Sequence, residues 1–447
     1  MVMYALGYLW MPNPSKGLVE TGLVTLATAP SGASVYLGKS RYTEKTPTLL
    51  RDLIPGQYSV TLALKNYKPW SRRITVRAGR ATILEKILLF PKTFEKKTLA
   101  NGPFSDLAAI GDSGALFLTH DKKSDDIFIF DTKKEKIKSF QAGNIFLEDG
   151  KVDAAHTVEK SSSALLELSA REVKEFIWFD SAKENSKPEN ISHFFIKSPE
   201  RVMWSPRQPR ILFSFHDGFL DRMDLSLGEV SAAFMREVMG FGLYDHKLYV
   251  LKSDGSFFRT DLNQKTPEAL PLHPDLRKLL TQDRGLFPSF FGRRRFYELK
   301  ALSEDEVLLW DEAGRLYGNR FPGPLLEKPA VGMSYFPDGK RLLVWQKDRI
   351  GILDFSAPGE PRLEWVFKQG RDIRQAFWVY DASYILFRDS EEVYLLETEN
   401  LQNPGPEYLF KVQPRSSIDY AEESGRIFYL DATRGDLLSV ELVPEGA

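Results

Sequence analysis

The chain has 447 residues, 43% hydrophobic and 13% aromatic, enough to bury a large core and to form more than one domain. Its 60 basic and 61 acidic residues leave a net charge of -1, which argues against bulk electrostatic attachment to nucleic acid or an anionic membrane, although a local patch could still act. There is no cysteine, so disulfides, thiolate zinc sites and cysteine nucleophiles are excluded.

Residues 1–11 carry no charge. The stretch is too short to span a bilayer, which takes roughly 20 apolar residues, and it lacks the basic start of a signal peptide. Two readings stand. One is a first strand packed on the next domain. The other is the end of a membrane anchor lying upstream of Met1, for which Tyr4, Tyr8 and Trp10 would suit an interfacial belt.

Residues 22–91 form a unit of their own. Val24 and Leu26 alternate with polar residues up to Pro30, residues 33–37 give a second strand, and Gly38 a turn. After the Pro55-Gly56 turn, Tyr58, Val60, Leu62 and Leu64 alternate again, and residues 73–76 and 81–89 add two strands around Ala78-Gly79. Alternation with period two and Pro/Gly turns predict a small β-sandwich. Thr28-Ala-Pro-Ser-Gly-Ala-Ser-Val-Tyr-Leu37, Lys45-Thr-Pro47, Ile54-Pro-Gly-Gln-Tyr-Ser-Val60 and Lys65-Asn-Tyr67 together resemble a PEGA domain. Ser31 stands where the family carries Glu, and Asn66 where it carries Gly; both keep turn-compatible residues. The resemblance implies a surface or envelope module without catalytic residues.

Beyond residue 92 one pattern recurs. Residues 335–354 read as a strand, a Pro337-Asp-Gly339 turn, a second strand, a polar turn, and a third strand ending on Asp354. The same closing carboxylate stands at Asp131, Asp180, Asp224, Asp261, Glu397 and Glu441, with Asn319 as the one departure. The 310 residues from Asp131 to Glu441, over seven steps, give about 44 per step, the spacing of four-stranded propeller blades. The competing reading is an ordinary two-sheet β-protein, which supplies no reason for the turn to recur. Few stretches carry a helical apolar period, so the fold class is all-β: a sandwich, then an eight-bladed propeller, or seven blades if the Asn319 unit is misread. The blades fall over 104–142, 143–198, 199–236, 237–272, 288–328, 329–370, 371–412 and 413–447, the last completed by a strand at 93–99 that closes the ring. Residues 271–285 interrupt the array as a short helical insertion with Leu276, Leu279 and Leu280 on one face. Trp204-Ser-Pro-Arg207 and Phe336-Pro-Asp-Gly-Lys-Arg-Leu342 are similar to the turns of TolB/WD40-like propellers of bacterial envelope proteins.

Chemical constellations are sparse. The histidines at 120, 156, 193, 216, 246 and 273 lack metal-ligand spacing. His120-Asp121 with Asp125 and Asp126 reads as a solvated hairpin, and Gly111-Asp-Ser-Gly114 as a turn rather than a nucleophile elbow. No catalytic, metal or cofactor site is expected. Arg293, Arg294 and Arg295, flanked by Phe290, Phe291, Phe296 and Tyr297, are the candidate binding residues. They would meet an anionic glycan or an acidic protein surface, or else form a strand with core aromatics and solvated arginines. Trp178, Trp204, Trp310, Trp345 and Trp378 are expected to pack between blades. The expectation for function is a non-catalytic interaction platform of the cell envelope, tethered from upstream of Met1. It would bind a protein or cell-wall glycan partner and no nucleic acid. A propeller hydrolase acting on a glycan or lactone is the alternative, and a carbohydrate-binding wall anchor a third reading.

Overall fold

A computed structural model describes residues 8–10, 18–111, 114–120, 126–141, 151–158, 161–170, 173–181, 187–282, 296–336, 339–357, 359–398, 405–414 and 416–444. Tyr8–Trp10 pairs antiparallel with Leu18–Glu20. Gly22–Ala29 alternates buried and half-buried residues and lies between Thr48–Leu53 and Ala81–Leu88, the latter parallel to it. A second sheet orders Ser40–Lys45, Ser34–Leu37, Gly56–Ala63 and Trp70–Val76. The two enclose Val24, Leu26, Val35, Val60, Leu62 and Ile74, as period-two side chains require when each sheet has one covered face. The buried Thr46 hydroxyl meets that of Thr28 at 2.6 Å and accepts the Ala33 N–H at 2.9 Å, which explains why a Thr-Pro pair belongs there.

Sheets of antiparallel strands, with one parallel pair in the fourth, then follow over 104–141, 151–190, 201–236, 238–318, 332–367 and 375–411. A last one over 419–441 takes Lys96–Ala100 as its outer strand, antiparallel to Leu437–Glu441. Each sheet shares a core with the next. Phe117 and Ile129 meet Leu166 and Ile177; Trp178 meets Trp204, edge to face at 4.9 Å; Phe213 and Phe215 meet Phe241 and Val250. Farther on, Leu308 and Leu316 meet Met333 and Leu342, and Leu343 and Ile350 meet Trp378 and Ile385. Leu386 and Val393 meet Ile427 and Val440. Finally Leu116 and Phe130 meet Phe428 and Leu437, so the last sheet packs on the first. A circle of sheets joined face to face is a β-propeller.

The 238–318 sheet has seven strands because Val238–Tyr244 and Tyr297–Ala301 run parallel and pair through Gly240 and Phe241. Glycine makes this possible: a Cβ on Gly242 would lie 1.8 Å from the Leu299 carbonyl oxygen, and one on Gly240 2.4 Å from that of Tyr297. Helix Pro274–Gln282 covers the core of this unit with Leu276 and Leu280. Leu279 does not join them; it is 36% exposed. Asn319 is buried, its Nδ2 donating to the Pro271 and Asp305 carbonyls at 2.9 Å and its Oδ1 accepting the Val307 N–H at 3.0 Å. A carboxylate has no donor, which accounts for the departure at this position.

First strands of neighbouring sheets touch, as Gly332–Tyr335 does Gln375–Val379, so they line the centre. The upper face is the side on which each first strand begins and the second turns into the third. On the lower face the first turns into the second and the third into the fourth.

Candidate functional site

The sandwich sits on the lower face. Ala29 and Leu88 share a core with Tyr384, Leu386, Leu395 and Leu409 of the ring, and Phe90 meets the Tyr384 ring edge-on at 6.4 Å. The Tyr384 hydroxyl accepts the Leu88 N–H at 2.8 Å, and burial raises its pKa above the ordinary phenol value. Arg72 Nη2 donates to Glu397 Oε2 at 2.6 Å, each side chain 17% exposed, with the guanidinium 5.2 Å from the centre of the Trp70 ring. Lys86 pairs with Asp381 and Lys68 with Glu407. Lys86, Tyr380, Asp381 and Ala382 all take positive φ, between 52° and 63°. Side chains there are strained, so the surrounding packing must hold both halves of this contact.

The upper face is arranged otherwise. Arg388, 2% exposed, ends the strand Tyr384–Arg388. Its Nε donates to the Asp389 carbonyl at 3.0 Å, and its Nη2 to those of Ser390 and Pro414 at 3.3 and 3.0 Å. Among the described residues no carboxylate pairs with it. Burial, followed by the neighbouring Arg374 charge, lowers its pKa to about 10. Arg374 donates to the same Pro414 carbonyl at 3.1 Å and pairs with Asp372 at 2.9 Å. Asp106 Oδ1 accepts the N–H groups of Leu107 and Ser417, both at 2.8 Å, and burial raises its pKa. Beside these groups opens a recess of about 260 Å³, lined by Pro103, Phe104, Ser105, Gln413, Thr433 and Arg434. Elsewhere on the same face stand Val173, Ile196 and Phe219, 52%, 60% and 37% exposed. Next to them Lys197 pairs with Asp217, and the Asp217 N–H donates to Glu200 at 2.8 Å.

The model of the PEGA domain family matches residues 21–88. Residues 21–88 form a PEGA domain. No curated protein matches the chain. Several solved structures resemble it weakly. The computationally designed Ika8 protein is 10% identical, with 78% of this chain and 98% of that one covered and a TM-score of 0.45. The β-propeller domain of Cps50 (Swd1) from Myceliophteria thermophila is 12% identical, covering 65% and 99%, with a TM-score of 0.38. A structure titled as the eukaryotic initiation factor is 9% identical, covering 93% and 99%, with a TM-score of 0.46. The propeller assignment rests on the sheets and shared cores described above.

Of the candidates read from sequence, Arg293, Arg294 and Arg295 lie outside the described residues, as do Asp112, Ser113, Asp121 and Asp125. His216 Nε2 lies 2.9 Å from Asp221 Oδ2, and Asp221 Oδ1 in turn accepts the Ala233 N–H at 2.7 Å, so the pair supports a turn. Trp178, Trp204, Trp345 and Trp378 are buried between sheets. Among the described residues no group of three or more His, Asp or Glu is placed to hold a metal ion, and no helix is long and apolar enough to cross a membrane. Sequence reasoning did not single out Arg374, Arg388, Gln413 or Arg434, whose only common signal is a position in a turn, or at the strand end that leads into one, on the upper face.

Proposed function

We propose that the protein is a non-catalytic platform of the cell envelope that presents its ring to a protein partner. The PEGA domain is fixed to the lower face, which leaves the upper face for docking. The observation that carries this reading is the exposure of Ile196 and Phe219 beside the Lys197–Asp217 pair on that upper face, where Val173 is exposed as well. Apolar side chains rimmed by charges are the composition of protein contact surfaces. Two of the three are aliphatic, which suits a protein better than a sugar ring. We count the ring as eight-bladed, taking the seven-stranded sheet as two blades. Affinity purification from an envelope fraction tests the reading: Ile196→Asp with Phe219→Asp should lose the partner that the unchanged chain retains, at equal melting temperature. Equal recovery by both chains, or turnover of a glycan or lactone by the pure protein, would overturn it.

A further inference from the structure

Around the recess, the carboxylates are turned into the backbone. Asp431 accepts from the Thr433 hydroxyl at 2.5 Å and from the N–H groups of Thr433 and Arg434 at 3.0 Å. Asp436 accepts the Gly102 N–H at 2.9 Å, and Asp389 those of Glu391 and Glu392 at 2.9 and 2.8 Å. Asp106 is held by Leu107 and Ser417, and Asp372 by Arg374. Two cations, Arg434 and Arg388, are not so occupied. The exposed Arg434 side chain lines the recess and makes no hydrogen bond or ion pair among the described residues. Arg388 meets carbonyls only. Gln413, also in the lining, keeps its Oε1 shielded from solvent with no hydrogen-bond partner. Neither end of that amide is held among the described residues, so either can turn toward a ligand.

We propose that this recess binds a carboxylate-bearing peptide segment of a partner protein, the carboxylate on Arg434 and a neighbouring peptide N–H on Gln413. A guanidinium offers a carboxylate two parallel donors, and a shielded amide oxygen without a donor is a defect that a ligand N–H repairs. Pro414, next to Gln413, accepts from Arg374 and Arg388 on its carbonyl, so two guanidiniums stand behind the site, facing Asp106, Asp372 and Asp389. The Ser105 and Thr433 hydroxyls of the lining already donate to the Thr119 carbonyl and Asp431, so a sugar acid would bring more hydroxyl groups than the recess has free partners. A short peptide brings one carboxylate and one adjacent N–H. The site is separate from the Ile196–Phe219 surface and does not depend on it.

Saturation-transfer NMR on the full chain tests this with acetyl-Ala-Ala carrying a free carboxylate, its C-terminal amide, and glucuronate. The free acid should bind at least about tenfold more tightly than the amide, as a charge-assisted pair implies. Arg434→Ala should weaken it by about tenfold or more, and Gln413→Leu by several-fold. Gln413→Leu should also keep or raise the melting temperature, since it removes an unpaired buried acceptor; this separates lost binding from lost folding. Absence of binding, equal binding of acid and amide, or full binding by a folded Arg434→Ala chain overturns the proposal. Glucuronate binding in preference to the peptide overturns the assignment to a peptide.

Discussion

The two faces of the ring treat charge differently. Below, where the PEGA domain is seated, Arg72, Lys86 and Lys68 each reach a carboxylate of the ring and the buried Tyr384 hydroxyl meets the Leu88 N–H, while Trp70 Nε1 and Arg72 Nε stay shielded without a hydrogen-bond partner. Above, Arg388 and Arg434 have no such partner among the described residues. Charges paired across a contact hold two domains together; cations without a counter-charge on an open face are what a binding surface looks like before its partner arrives.

The largest expected effect lies below. Arg72→Ala leaves Glu397 partly buried without its cation and should destabilise the junction by about 2–3 kcal/mol, read by denaturation through the fluorescence of the adjacent Trp70. A loss under about 0.5 kcal/mol would mean that the contact is not held as described. Tyr384→Phe removes the partner of the Leu88 N–H and should cost about 1–2 kcal/mol, with faster amide exchange at Leu88.

Glu135 makes a smaller contribution. It clasps Lys97 at 2.5 Å and Arg426 at 2.8 Å on the lower side of the closing strand, and these bonds hold its pKa below the usual 4.5. A depressed carboxylate stabilises the fold fully above its unfolded pKa and loses that effect as pH falls through the folded one. The advantage over Glu135→Gln should therefore be present at pH 7, under about 1 kcal/mol for so exposed a group. It should fade as pH drops below about 4.5. An advantage that grew at low pH would contradict the pairing. Smallest of all, Ile196→Ser with Phe219→Ser should change stability by less than about 0.5 kcal/mol, since exposed side chains lose little on removal. A larger loss would make that surface part of the fold rather than a place to dock.

The repeat was legible because its chemistry is local. Asp131 caps the N–H groups of Lys133 and Lys134, Asp224 that of Ser226, Asp261 that of Asn263, and Asp354 that of Ser356. A carboxylate that bonds two or three residues onward marks its turn in the sequence. Glu397 stands at the same phase yet serves Arg72, 325 residues away, and no spacing announces that. Asp106 and Ser417 likewise meet across 311 residues, and Leu88 and Tyr384 across 296. The upper rim went unread for this reason: its groups are single residues at turns, brought together only when the circle closes.

Site-specific photo-cross-linking in the native host tests the central claim most directly, with a benzophenone side chain at Phe219 on the upper face or at Tyr408 on an outer strand. Phe219 should give one discrete protein adduct that disappears in the Ile196→Ser background, and Tyr408 should not give it. The same adduct from both positions, or none from Phe219, would contradict a ring that docks its partner on the face opposite the PEGA domain.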